Sequence, residues 1–203
     1  LLESILAQES APDAVRLGAL ALLRKSYDAT GRGAELIRAI ERALGFADGG
    51  ERLALHREAG TRLAIADRDA EAMAHFATLL QLEPADTDAR KQLRVLADRA
   101  KLHAVLADAL VGAAQTAEPS LRMSLRYEAA QIHAQRLGAP EQAASLLASV
   151  VEDSEADRSL ALSAAHQLGE LLATAGRDEE RLGLLEQLAE LEHSASLRRA
   201  VLG

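Results

Sequence analysis

The 203-residue chain contains no cysteine, no asparagine and no tryptophan. Without cysteine there are no disulfides, no thiolate metal sites and no cysteine nucleophile. Valine, isoleucine and threonine together supply only 18 residues. That leaves little material for β-sheet, because strands favour branched and aromatic side chains. The four aromatics, Tyr27, Phe46, Phe76 and Tyr127, form no platform for stacking bases. The net charge is −8, and phosphate binding needs clustered cations that release counterions, so no nucleic-acid partner is expected. No apolar run approaches the roughly eighteen residues of a membrane span.

What the chain does have is alanine (44 residues) and leucine (37), with only four prolines. Alanine and leucine are strong helix formers, so an all-α fold is predicted. The acidity is uneven. Residues 1–101 carry 15 basic and 16 acidic groups, whereas residues 102–203 carry 8 basic and 15 acidic, a net of −7. The chain opens Leu1-Leu2-Glu3, with neither a methionine nor a basic leader. It reads as an excised piece of a longer protein, so a targeting signal would lie outside it.

Apolar residues recur at i, i+3, i+4 and i+7, as in Met73, Phe76, Ala77 and Leu80, and in Ala143, Leu146, Leu147, Val150 and Val151. Such stripes predict amphipathic helices with one buried face. Gly31, Asp67, Asp98, Gly138 and Gly176 each stand between two stripes, where a left-handed residue ends a helix. Acidic residues follow several of these breaks, as in Asp69 with Glu71, Glu141, and Asp178-Glu179-Glu180, favouring the positive end of the next helix. Pro12, Pro119 and Pro140 suit a first helical turn. A second set of breaks, at 46–50, 83–86, 116–119 and 153–157, divides the chain into helix pairs: 12–29 with 33–45, 51–66 with 69–82, 86–97 with 101–115, 119–137 with 140–152, and 158–175 with 178–193. Residues 1–9 and 195–202 read as partial repeats at the two ends. The turns within pairs lie 36, 31, 40 and 38 residues apart, a recurrence in the range of stacked hairpins.

The second pair carries a denser pattern. His56, Ala59, Gly60, Leu63, Ala72, Phe76 and Pro84 stand at the spacing W-x2-L-G-x2-Y, then A-x3-F, then P. That stretch resembles the tetratricopeptide repeat (TPR), with Gly60, Ala72, Phe76 and Pro84 identical to the pattern. Small residues at Gly60 and Ala72 are expected to let the two helices approach, Phe76 to fill the gap toward the next hairpin, and Pro84 to stop the second helix. Other pairs fit more loosely: Leu20, Leu23, Tyr27 and Gly31 in the first; Ala130, His133 and Ala143 in the fourth, whose first helix needs one extra residue; and Leu168, Gly169, Leu172 and Leu185 in the fifth. The third pair has a short first helix and an ambiguous register. The resemblance implies a right-handed α-solenoid of about five stacked antiparallel helix pairs. It also implies an inner surface, lined by the first helix of each pair, that binds peptides or partner domains. The whole of 1–203 is expected to form one such domain.

No catalytic, metal or cofactor constellation emerges. Gly31-Arg32-Gly33 precedes a helix but follows no strand, and Leu36 stands where a phosphate-binding fingerprint wants glycine. Among the histidines (56, 75, 103, 133, 166 and 193) none pairs at i+3 or i+4, so no helix face offers two metal ligands. His56 and His133 take positions usually held by aromatics and read as packing residues. No nucleophile elbow accompanies any serine. Glu179 and Glu180 point about 100° apart, so dipole complementation explains them better than a carboxylate pair. One basic cluster, Arg90, Lys91, Arg94, Arg99 and Lys101 against Asp98, reads as a solvated face or a dock for acidic peptide. The Lys/Asn carboxylate clamp of some TPR domains is absent with the asparagine.

The expected function is a non-catalytic protein-interaction scaffold with no cofactor. The alternative is a regulatory or sensor region of a larger signalling or transcription-regulating polypeptide, and a helical enzyme is the weakest reading. The resemblance places the groove residues on the first helices. They are Lys25 and Asp28 in the first pair, Arg57 and Thr61 in the second, Tyr127, Gln131 and Gln135 in the fourth, and His166 and Glu170 in the fifth. Tyr127 and Arg57 are the expected anchors, because tyrosine and arginine are enriched among interface hot spots.

Overall fold

Helical periodicity and short breaks are realised as helices joined by tight turns. A computed structural model describes Leu6 and residues 11–153, 157–186, 188 and 189. Among these residues no strand occurs. The helices are α1 (Asp13–Ala29), α2 (Gly33–Leu44), α3 (Gly49–Ile65), α4 (Asp69–Leu82), α5 (Thr87–Ala100), α6 (His103–Ala114), α7 (Pro119–Gln135), α8 (Pro140–Glu152) and α9 (Arg158–Thr174). Residues 178–186 are also helical. None of these helices is long and apolar enough to cross a membrane. The expected partial repeats at 1–9 and 195–202 lie outside the described residues, apart from Leu6.

The first helices α1, α3, α7 and α9 each have 17 residues, and the second helices α2, α4 and α8 have 12 to 14. The third pair opens with the shorter α5, of 14 residues, as the sequence implied. The chain forms two compact units, Leu1–Leu102 and His103–Gly203. The division falls in the turn of that third pair. In the first unit α1 packs on α2, α2 on α3, α3 on α4 and α4 on α5; in the second α6 packs on α7, α7 on α8 and α8 on α9. Each unit is a stack of helix hairpins.

The turns are set by left-handed residues. Gly31, Asp67, Gly138 and Gly176 have φ between 56° and 68°, as expected. Asp98 does not: it lies inside α5, and Lys101 takes the left-handed position with φ 59°. The apolar stripe of Leu93, Leu96 and Ala97 continues beyond Asp98 through the half-buried Ala100, and α5 runs on to that residue. With Lys101 in place the turn residues are spaced 36, 34, 37 and 38 apart, a more even period than the sequence suggested. After the left-handed residue, the next N–H reaches back five residues: Arg32 to the Tyr27 carbonyl, Arg68 to Leu63, Leu102 to Ala97, and Arg177 to Leu172. In the fourth pair the bond runs from Ala139 to His133, one residue further, where the pattern required an extra residue.

The core of the second hairpin follows the TPR spacing closely. Leu63, Ala72, Leu79 and Leu80 are fully buried, and Phe76 is 2% exposed. A Cβ added to Gly60 would lie 2.8 Å from Phe76 Cε2, so the glycine is a socket for the ring. Phe76 therefore packs across its own hairpin, against Gly60. In the fifth pair the residue facing Gly169 is Leu184, 3.7 Å from an added Cβ. Leu184 is 5% exposed and Leu185 is 50% exposed, which corrects the expected register by one residue. The buried stripe here runs through Leu184 and Leu188, one turn apart.

Candidate functional site

The polar side chains on the first helices show what each unit offers a partner. In the first unit Arg24 and Asp28 on α1 pair with Glu58 and Arg62 on α3, the second at 2.9 Å. Lys25 is exposed beside them. Arg57 is exposed but not idle, since its Nη2 donates to Asp86 Oδ2 at 2.7 Å. Asp86 also caps α5, accepting the Ala89 N–H at 2.8 Å. Burial pushes the Asp86 carboxyl up, but the Ala89 N–H and the Arg57 guanidinium outweigh it and hold the group below its ordinary value. Thr61 bonds back to the Arg57 carbonyl at 2.8 Å. It lines a cleft of about 380 Å³ together with Ala64, Ile65, Asp67, Gln92 and Arg99. Ile65 is 73% exposed at this cleft, a large apolar side chain left in water.

The basic cluster at 90–101 is partly absorbed by the fold. Arg99 Nε donates to Asp69 at 2.7 Å and its Nη2 to the Ala64 carbonyl at 3.0 Å, tying α5 to the α3–α4 turn. Arg90 is half-buried, while Lys91 and Lys101 are exposed.

In the second unit Tyr127 is half-buried on the core cluster around Leu147 and Leu168. Its hydroxyl accepts from Gln167 Nε2 at 2.8 Å, linking α7 to α9. Gln131 is half-buried and Gln135 exposed on the same stripe of α7, at i+4 and i+8 from Tyr127. His166 and Glu170, four apart on α9, are both exposed. Arg122 and Arg126 converge on Asp153 at 2.9 and 3.0 Å. They offset a carboxylate at the negative end of α8. Within each unit the candidate residues therefore share first helices, but the two expected anchors, Arg57 and Tyr127, are already held by internal partners.

Two features escaped the sequence reading. The first is a repeated turn clamp. Arg32 pairs with Glu35, Arg68 with Glu71 and Arg177 with Glu180, in each case with the arginine directly after the left-handed residue. The signal was legible as Arg-x-x-Glu after Gly31, Asp67 and Gly176, but only once the turns were fixed. Arg32 also lies over the Tyr27 ring, 4.7 Å from its centre. The second is a histidine pair. His56 and His75 place their Nδ1 atoms 3.1 Å apart, with ring centres at 5.3 Å. The residues are 19 apart in sequence, so no helical spacing could pair them. His56 is a buried packing residue, as expected, and His133 is half-buried. No group of three potential metal-ligating side chains occurs among the described residues.

No protein-family model matches the chain, and the search of curated proteins found no match. Solved helical-repeat structures are. The crystal structure of MamA matches with TM-score 0.44 and 13% identity, covering 86% of this chain and 96% of that one. A putative kinesin light chain with nearly identical TPR-like repeats from Podosopora anserina matches with TM-score 0.44 and 18% identity, over 92% and 98%. YrrB, described as a TPR protein with an unusual peptide-binding site, matches with TM-score 0.40 and 15% identity, over 98% and 96%.

Proposed function

We propose that the chain is a non-catalytic interaction scaffold that binds a peptide or partner segment along its first helices. The observation that carries this reading is the cleft beside α3. There the exposed Ile65 stands next to Thr61 and Gln92, an apolar seat with hydrogen-bonding side chains on its edge. That combination suits an extended segment, whose side chains need apolar seats and whose backbone needs partners. In the second unit Gln131, Gln135, His166 and Glu170 offer the same chemistry on α7 and α9. Lys25 and Asp28 extend the first-unit surface. Arg57 and Tyr127 serve this reading as rigid walls, fixed by Asp86 and Gln167, and contribute shape before charge.

The test is a peptide library displayed on phage and selected on the full chain. Selected peptides are then measured against two double variants, Thr61→Ala with Gln92→Ala, and Gln131→Ala with His166→Ala. At least one pair should weaken binding about tenfold, the equivalent of 1.4 kcal/mol, without moving the thermal melt. Affinity within twofold of the parent for both variants rules the surface out.

A further inference from the structure

In the second unit a notch of about 540 Å³ opens between α8 and the helix at 178–186. Its floor is Leu168 and Leu172 of α9, and its walls include Ala144, Ala148, Val151 and Leu184. The core is less tightly closed there. Ala144, Val151, Leu168, Leu172 and Leu184 keep 4–7% exposure, whereas the deeper members of the same cluster, such as Met123, Leu147 and Ala165, keep 1% or less. The reason lies in the repeat. Counted from the left-handed turn residues, Ala144 stands where the first unit has Ile37 and Met73, and Ala148 where it has Glu41 and Ala77. The methyl of Ala144, in place of the larger Ile37 and Met73 side chains, leaves space on α8. Gly183 faces it with nothing within 4 Å of an added Cβ.

The rim is acidic. Glu141, Glu152 and Glu180 border the notch against a single Arg177. Arg177 is already engaged by Glu141 at 2.9 Å and by Glu180 at 2.6 Å. Asp178, Glu179 and Glu186 are exposed on the same helix. Residues 103–203 carry the whole −7 imbalance, since Leu102 is uncharged.

We propose that this notch is a docking site for a basic amphipathic helix of a partner protein, which seats one large apolar side chain on Leu168, Leu172 and Leu184. The volume takes a leucine or phenylalanine side chain that the repeat itself does not supply. The acidic rim selects lysine and arginine flanks and steers their approach, an effect that salt screens over about 8 Å at physiological strength. None of the lining residues belongs to the first-helix surface proposed above, so either site can fail without the other.

The test uses the full chain and two synthetic helical peptides with the same Leu/Phe face, one flanked by lysine and one by glutamate. The lysine peptide should bind, weaken as salt rises, and lose about tenfold or more with Gly183→Leu, which fills the notch with the equivalent of one buried apolar side chain. That variant replaces a helical glycine in open space, so its melt should not fall. Glu152→Lys should weaken binding about two- to fivefold, as one exposed charge does, and it keeps the test sharp if Gly183→Leu misfolds. Equal binding of the glutamate peptide, indifference to both variants, or no binding by either peptide overturns the proposal. So does a self-association in sedimentation that Gly183→Leu abolishes, which would make a second copy of the chain the occupant.

Discussion

At the scale of single residues, backbone conformation and the histidine pair make separate predictions. Lys101 holds a left-handed conformation that costs an L-residue about 1 kcal/mol and glycine almost nothing. Lys101→Gly should therefore raise stability by about 0.5–1 kcal/mol in urea titration, and a loss would mean that the Lys101 side chain matters more than its φ. His56 and His75 both have lowered pKa values. Burial is the main cause for each, aided at His56 by the His75 ring and by Arg52 on α3, and opposed at His75 by Glu41 on α2 and Glu71 on α4. Well above the ordinary value near 6.5 both are neutral, folded or unfolded, and stability is insensitive to their titration. As pH falls through the ordinary value near 6.5, the unfolded chain takes up protons that the folded chain refuses. Stability then drops by up to about 1.4 kcal/mol per pH unit per histidine until the folded pKa is passed. Urea midpoints between pH 7.5 and 5 should fall more steeply in the parent than in His56→Gln/His75→Gln; parallel curves would contradict the assignment.

At the scale of the element, two glycines at the same pattern position should behave oppositely. Gly60→Ala pushes a methyl to within 2.8–3.1 Å of three Phe76 ring atoms in a closed core. Overpacking of that kind costs about 1–3 kcal/mol and exceeds the roughly 1 kcal/mol of helix propensity gained. Gly169→Ala meets only Leu184 at an ordinary 3.7 Å and should stabilise by up to about 1 kcal/mol. Phe76→Ala should cost about 3–5 kcal/mol by chemical denaturation, as for other large-to-small core changes. Helix placement was legible in the sequence because the Leu and Ala stripes and the turn glycines act locally. The misplacements came from competition that spacing does not encode. At Asp98 the stripe of α5 outran a good turn residue, and at Leu185 the rotation of a helix against Gly169 was set by tertiary packing. The candidate surface was legible as a set of helices and not as a set of free side chains. That Asp86 would claim Arg57, or Gln167 claim Tyr127, depends on contacts 29 and 40 residues apart.

At the scale of the whole molecule, both units bury Leu and Ala faces with no metal-ligating group of three among the described residues. The thermal melt should be the same with and without a chelator, and a large drop on chelation would reveal a structural ion. The two tyrosines give the chain a built-in optical instrument. With no tryptophan to drown them, Tyr27 and Tyr127 are the ultraviolet emitters, and one lies in each unit. Their settings differ: Tyr27 lies under the Arg32 guanidinium, while Tyr127 shares its hydroxyl with Gln167. Tyr27→Phe silences the first unit and Tyr127→Phe the second. Two single-tyrosine proteins then resolve, without any attached dye, whether the halves of the chain lose structure in one transition or in two.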